Sequence, residues 1–235
     1  MVSLIYGRNT VRDSLVSSKV KSIYISASFS DKKLLAIAEK EGVKIQVVSN
    51  QKLDSLINAN HQGIVAEIER FEYFSIDDII REARKKTRPV ILLLDGINDP
   101  GNFGAILRSA DAFGVSGIII KKHGQVMLNA TVAKTSTGAI NHVKVAMTAN
   151  LSQAMERLKE EGFWIVSTDG EAKTNYQDLK YDFPVGLIIG SEGEGISPLL
   201  IKRSDFVVKI PMFGHVNSLN ASVAAGILLS YINLK

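Results

Sequence analysis

Five nearly continuous apolar runs follow Pro89: Val90–Leu94, Gly117–Ile120, Phe163–Ser167, Val185–Ile189 and Phe206–Ile210. A strand that is apolar at successive positions has both faces buried, so its sheet must be covered on both sides. Helical patterns fill the gaps, at Phe103–Phe113, Leu151–Glu161 and about Ser218–Ile232. Strands alternating with helices predict an α/β fold with a parallel, three-layer sheet that takes its ligands at the C-terminal ends of the strands.

Pro89 also closes what comes before it, because proline is disfavoured inside a helix. The charged helical stretch from about Arg70 to Arg88, with Ser75-Ile-Asp-Asp-Ile-Ile-Arg at its centre, reads as a linker over 71–88. It separates a domain at 89–235 from one at 1–70. In the first domain, helical stretches run Asn9–Ser17, Asp31–Glu41 and Asn50–Asn58, the last two opening on Asp and Asn caps. Strand-like runs are Ser22–Ser26, Lys44–Val48 and Ile64–Ile68. This is a small α/β domain with mixed strand pairing.

Charge separates the halves. Residues 1–88 hold 15 Lys/Arg against 11 Asp/Glu, and residues 89–235 hold 13 of each, so the net +4 lies in the first part. Arg81, Arg84, Lys85, Lys86 and Arg88 form a dense cluster. Such a cluster concentrates phosphate contacts, and reads equally as the solvated face of a linker. No run approaches the roughly 20 apolar residues of a membrane span, and the N-terminus lacks the features of a secretory signal. Cysteine is absent, which removes disulfides, a thiol nucleophile and Cys-based zinc sites. The four histidines, His61 and His215 among them, lack metal-ligand spacing. The expectation is a cytoplasmic protein with no membrane segment and no metal.

Three loops follow buried strands. The first, Asp99-Pro-Gly-Asn-Phe-Gly-Ala-Ile-Leu-Arg, leads into a helix starting near Asn102. Arg108 stands away from its apolar stripe, one turn beyond Gly104, which leaves room for a substrate. Asn102 reads also as a helix cap, and Arg108 as a surface arginine. The second loop, Gly190-Ser-Glu-Gly-Glu-Gly, lets the backbone approach a ligand closely. Glu192 and Glu194 would repel phosphate, and neither nucleotide-loop spacing is present. The loop suits a cationic or hydroxyl-bearing ligand, or is a tight connection. The third loop, Ile210-Pro-Met-Phe-Gly-His-Val-Asn-Ser-Leu-Asn, ends at a helix opened by Asn217 or Ser218. Ser218 and Asn220 offer hydrogen-bonding groups there, or cap the helix.

In that order the three loops resemble the three motifs of the SpoU/TrmH family of RNA ribose methyltransferases in the SPOUT superfamily, over residues 90–232. Ala221 replaces the more usual Val. Ile5-Tyr-Gly-Arg-Asn and His61-Gln-Gly-Ile are similar to the ribosomal-protein-L30-like substrate-binding domain of bacterial 23S rRNA guanosine 2′-O-methyltransferases. The resemblance implies an α/β knot domain with a deep trefoil knot, a homodimer, and S-adenosyl-L-methionine as cofactor. It places the family's catalytic arginine on Arg108, with Asn102, Glu192, Ser218 and Asn220 as partners, and methyl-donor contacts on Thr168, Gly190, Ile210 and Leu219. The implied reaction is methyl transfer to a ribose 2′-hydroxyl of RNA, a guanosine of 23S rRNA. A tRNA substrate is the alternative, and a non-catalytic RNA-binding protein the rival of another class. A doubly wound oxidoreductase or NTPase is disfavoured by the missing phosphate-loop spacing.

Overall fold

The computed structural model describes residues 3–16, 20–68 and 71–233; Ser17, Arg70 and the outermost residues of the two expected domains lie outside the described residues. The chain divides into two compact units. One comprises Met1–Glu72 with Met127–His142, the other Tyr73–Val126 with Val143–Lys235.

The first unit begins with β1 (Ser3–Tyr6), α1 (Arg8–Val16), β2 (Val20–Ser26), α2 (Lys32–Lys40), β3 (Lys44–Val48), α3 (Asn50–Leu56) and β4 (Ile64–Ile68). Its described strands form a sheet ordered β1-β4-β2-β3. Strand β4 runs antiparallel to β1 and β2, while β2 and β3 are parallel. The expected mixed pairing is therefore observed. Asp31 caps α2 as its side chain accepts from Leu34 N. Helix α3 is capped by Ser49 rather than Asn50, because the Ser49 hydroxyl reaches Lys52 N.

The second unit starts with α4 (Ile76–Ala83), β5 (Val90–Asp95), α5 (Pro100–Ala112) and β6 (Gly117–Lys121). The chain then leaves it for α6 (Ala130–Thr135) and a short 3-10 turn at Ala139–Asn141, both part of the first unit. It returns for β7 (Val145–Thr148), α7 (Leu151–Glu160), β8 (Trp164–Thr168), β9 (Thr174–Asn175), β10 (Val185–Gly190), α8 (Pro198–Arg203), β11 (Phe206–Lys209) and α9 (Ala221–Asn233). The sheet order is β7-β6-β5-β10-β8-β11-β9, and its described ladders are parallel. From β5 the chain builds outward through β6 and β7, then turns back to place β10 on the other side of β5. The β5–β10 boundary is thus the point where strand order reverses, and such points open a crevice at the C-terminal strand ends.

Burial explains the apolar runs. Val90 through Leu94 are each at most 2% exposed. Burying a side chain of that size stabilises by about 1.5–3 kcal/mol. Helix α4 falls in the stretch read as a linker, yet Ile79, Ile80 and Ala83 are buried in the same core cluster as Leu93 and Ile119.

The basic run belongs to this unit's own electrostatics. Arg81 pairs with Asp78 and Lys85 with Glu82, each at 3.0 Å. Arg84 pairs with Glu161, and Lys86 donates to the Gly114 carbonyl. These residues precede β5, so they sit at the N-terminal end of a strand about 20 Å long, opposite the ligand-binding edge. Of the two readings of this cluster, the structure favours the solvated face.

Candidate active site

Three parallel strands end side by side at the crevice. Register sets Gly190 of β10 beside Asp95 of β5, and Leu94 beside Ile120, so that Lys121 follows next to Asp95. Asp95 is only 5% exposed. Its carboxylate meets Lys121 Nζ at 2.7 Å and accepts from Ser197 N at 2.8 Å. Burial pushes the Asp95 pKa up, but the Lys121 and Ser197 hydrogen bonds, with the Lys121 charge, outweigh it and hold the group below its ordinary value of 3.8. Asp95 is not among the residues that the sequence motifs single out. The signal was available: an acid and a lysine each close an apolar run on what prove to be neighbouring strands.

A depressed carboxylate pKa adds stability that is fully present above the ordinary pKa and is lost as pH falls through the folded value. Asp95→Asn is therefore expected to flatten the acid side of the melting-temperature profile below pH ~4. At neutral pH it should destabilise by about 1.5–3 kcal/mol, the cost of a lost charge-assisted hydrogen bond. Thermal melts of both proteins across pH check both effects.

Two helices begin at this edge. Asp99 caps α5 by accepting from Asn102 N at 2.7 Å, with Pro100 as its first residue. The helix thus starts two residues before the expected Asn102, as the Asp-Pro pair favours, and Asn102 is not its cap. Helix α9 starts at Ala221 rather than near Ser218. Asn220 Oδ1 accepts from Ser222 N at 2.9 Å and Val223 N at 3.3 Å, so Asn220 is the cap and Ser218 is not.

Capping fixes what Asn220 offers on its other side. With its oxygen committed to the helix, its NH2 must face outward, where it donates to Asn102 Oδ1 at 2.8 Å and to Glu192 Oε1. That in turn orients the Asn102 amide, whose Nδ2 donates to Glu192 Oε1 at 2.8 Å. Asn102, Glu192 and Asn220 form a closed hydrogen-bonded ring. The N-termini of α5 and α9 flank it, and positive helix ends favour a carboxylate there.

The Glu192 loop stands between two cavities. One, of about 620 Å³, is lined by Thr168, Gly190, Ile210, Ser218 and Leu219. The other, of about 730 Å³, is lined by Asp95, Asn98, Asn102 and Lys121. Ser191 through Gly195 line both, held by paired backbone bonds between Ser191 and Gly195 at 3.0 and 3.1 Å. Gly190 is required by close approach: an added Cβ would lie 2.5 Å from Ile196 N and closer still to the Gly195 carbonyl.

Of the nine predicted site residues, eight are therefore gathered at this edge. Arg108 is not among them: it lines neither cavity, is exposed, and makes no ion pair among the described residues. Six residues turn a helix through about 600°, leaving Arg108 about 120° around the axis from Asn102 and about 9 Å further along. Nor does Gly104 leave room for a substrate; it is buried in the packing of α5.

The model of the SpoU rRNA Methylase family matches residues 89–230, and that of RNA 2′-O ribose methyltransferase substrate binding matches residues 4–74. The chain belongs to the SpoU rRNA methylase family. This SpoU chain is 44% identical over 231 residues to a Staphylococcus epidermidis protein assigned to the TrmH family of tRNA/rRNA methyltransferases, covering 96% of this chain and 93% of that one. The SpoU methyltransferase AviRb from Streptomyces viridochromogenes, solved in complex with AdoMet, superposes with a TM-score of 0.80 at 25% identity, covering 99% of this chain and 89% of that one. The A. aeolicus TrmH/SpoU tRNA modifying enzyme gives 0.58 at 28% identity, covering 68% of this chain and 81% of that one. The protein is thus an RNA methyltransferase by family, with an N-terminal substrate-binding domain ahead of the SpoU domain.

Proposed function

We propose that the protein transfers the methyl group of S-adenosyl-L-methionine to a ribose 2′-hydroxyl of rRNA, a guanosine of 23S rRNA, in the cytoplasm. The observation that carries this reading is the Asn102–Glu192–Asn220 ring between two cavities that share one wall. The cavity lined by Thr168, Gly190, Ile210 and Leu219 suits the donor. Its lining includes the carboxylates of Asp169, Glu171, Glu192 and Glu194 against the single cation of Lys209, which favours a sulfonium and disfavours phosphate. Ile189, Ile210 and Leu219 offer apolar surface to an adenine. When bound, S-adenosyl-L-methionine supplies an electrophilic methyl carried on a sulfonium.

The chain's own residues would handle the ribose. Arginine keeps its proton at neutral pH, so Arg108 is assigned to hold a phosphate of the RNA and lower the hydroxyl pKa through its charge. Among the described residues Glu192 Oε2 takes no hydrogen bond, leaving it open to the departing proton alongside water. Ser218 adds a hydroxyl at the donor cavity.

The reading extends to a homodimer and to a deep trefoil knot at the donor cavity. Phe213 is 97% exposed and Val216 66%, and apolar surface of this kind marks interfaces. A dimer also gives Arg108 a site to act on, that of the second copy. The rRNA assignment is favoured over tRNA by coverage: the tRNA-modifying neighbour matches only 68% of this chain, whereas the leading domain matches a substrate-binding family in its own right. Among the described residues no helix is long and apolar enough to cross a membrane.

The test is labelled methyl transfer to rRNA and to bulk tRNA from cells lacking the enzyme, with mapping of the modified ribose. Label in tRNA alone replaces the rRNA assignment. Failure to bind the donor at millimolar concentration returns the protein to the non-catalytic alternative. Sedimentation at twice the chain mass is expected for the dimer.

A further inference from the structure

The first unit contains a cavity of about 480 Å³ that methyl transfer leaves unassigned. Two segments far apart in the chain meet there: Tyr6-Gly7-Arg8, where β1 passes into α1, and His61-Gln62-Gly63, just before β4. Arg8 N donates to Gln62 Oε1 at 3.0 Å. Gln62 adopts φ 56°, the left-handed region that a glutamine seldom enters. Gly63 follows at φ 77°, where a Cβ would stand 2.8 Å from Ser26 Oγ. Left-handed backbone at a residue other than glycine is strained and clusters at ligand clamps.

The loop is held by its own side chains. Gly63 N donates to His61 Nδ1 at 3.0 Å, which leaves the ring proton on Nε2, donating to Asp54 Oδ1 at 3.0 Å. Asp54 and His61 both line the cavity. On the other side the Arg8 guanidinium lies over the Phe29 ring, 5.3 Å from its centroid. Arg8 is exposed and makes no ion pair among the described residues. Asn50 and Asn60 line the same cavity.

We propose that this cavity binds one unstacked nucleotide of the RNA substrate, its phosphate on Arg8 and its base edge on the amides of Asn50 and Asn60. A guanidinium resting on an aromatic face presents a flat fork of donors that matches a phosphate. Side-chain amides carry a donor and an acceptor side by side, as nucleobase edges do. Proteins that read RNA sequence do so mostly at splayed, unpaired bases. Residues 4–74, which match a substrate-binding family, hold 10 Lys/Arg against 8 Asp/Glu, a modest positive surplus. The inference rests on the RNA methyltransferase reading, which it deepens by naming where the substrate is held.

The test compares the full-length protein with Arg8→Gln, Arg8→Lys and Asn60→Ala, using unmodified bulk rRNA from cells lacking the enzyme. Lys40→Gln, which removes a charge from the exposed end of α2, is the charge-matched control. Arg8→Gln is expected to raise Kd and KM for RNA about tenfold while kcat, donor binding and melting temperature stay near the parental values. The slope of log affinity against log salt should fall by about 0.7–0.9. Arg8→Lys restores that slope without full affinity, Asn60→Ala weakens binding with the slope unchanged, and Lys40→Gln weakens it less than Arg8→Gln. Parental Kd and KM in both Arg8→Gln and Asn60→Ala, with a parent that methylates RNA, overturn the site alone. A parent that methylates no RNA overturns the functional reading and this proposal with it.

Discussion

Arg108→Ala is expected to lower single-turnover methyl transfer about 10²–10³-fold, the usual cost of deleting a charge that stabilises the transition state, with donor binding unchanged. Arg108→Lys keeps part of the rate across neutral pH if the residue is a positioning cation. Recovery that instead tracks deprotonation of the new lysine would identify a general base, and the assignment made above would fail. The position of Arg108 adds a sharper experiment. It is exposed and lines neither cavity beside its own chain's Asn102–Glu192–Asn220 ring, so in the proposed two-fold dimer it is expected to serve the other copy. Co-folding inactive Arg108→Ala with inactive Glu192→Ala then yields hybrid dimers with one complete site each, and about a quarter of wild-type activity at equal mixing. If both residues act within one chain, no activity returns.

Gly190→Ala is the second large effect. The added methyl would stand against the Gly195 carbonyl and 2.5 Å from Ile196 N. Those atoms are backbone, tied by the Ser191–Gly195 bonds, so no side chain can swing aside. Overpacking of this kind costs about 1–3 kcal/mol. Relief requires moving the loop that carries Glu192 and walls the proposed donor cavity, so donor affinity should fall by more than stability does. Melting curves and donor calorimetry on the same preparation separate the two. A variant with parental donor affinity would show that the loop shifts freely.

How much of this could be read beforehand varies from residue to residue. Strands β5, β6 and β10 announce themselves, since strands buried on both faces need apolar residues at nearly every position. Three of the helix caps differ by one to three residues from those the sequence suggests. A cap is decided by which of several neighbouring oxygens reaches a free N–H, as with Ser49 over Asn50 and Asn220 over Ser218. Strand β7 and helix α6, only a few residues each, carry too few positions for a period to emerge. The ring joins residues 28 to 118 positions apart; no local pattern encodes that meeting, and only the family resemblance pointed to it. The same resemblance named Arg108 but not its outward direction, which follows from where α5 starts.

The excursion of residues 127–142 changes what counts as a removable part. The covalent chain passes between the two units at 72–73, again at 126–127 and again at 142–143. Clipping at the apparent linker would not release the leading unit whole; α6, with buried Val132 and Ala133, would stay behind on the SpoU fragment and lose its cover. Substrate-recognition modules of this kind therefore cannot be exchanged between relatives by a single splice before Pro89. A working chimera must carry both the leading segment and the excursion from the same parent, and evolution faces the same restriction whenever it retargets the enzyme.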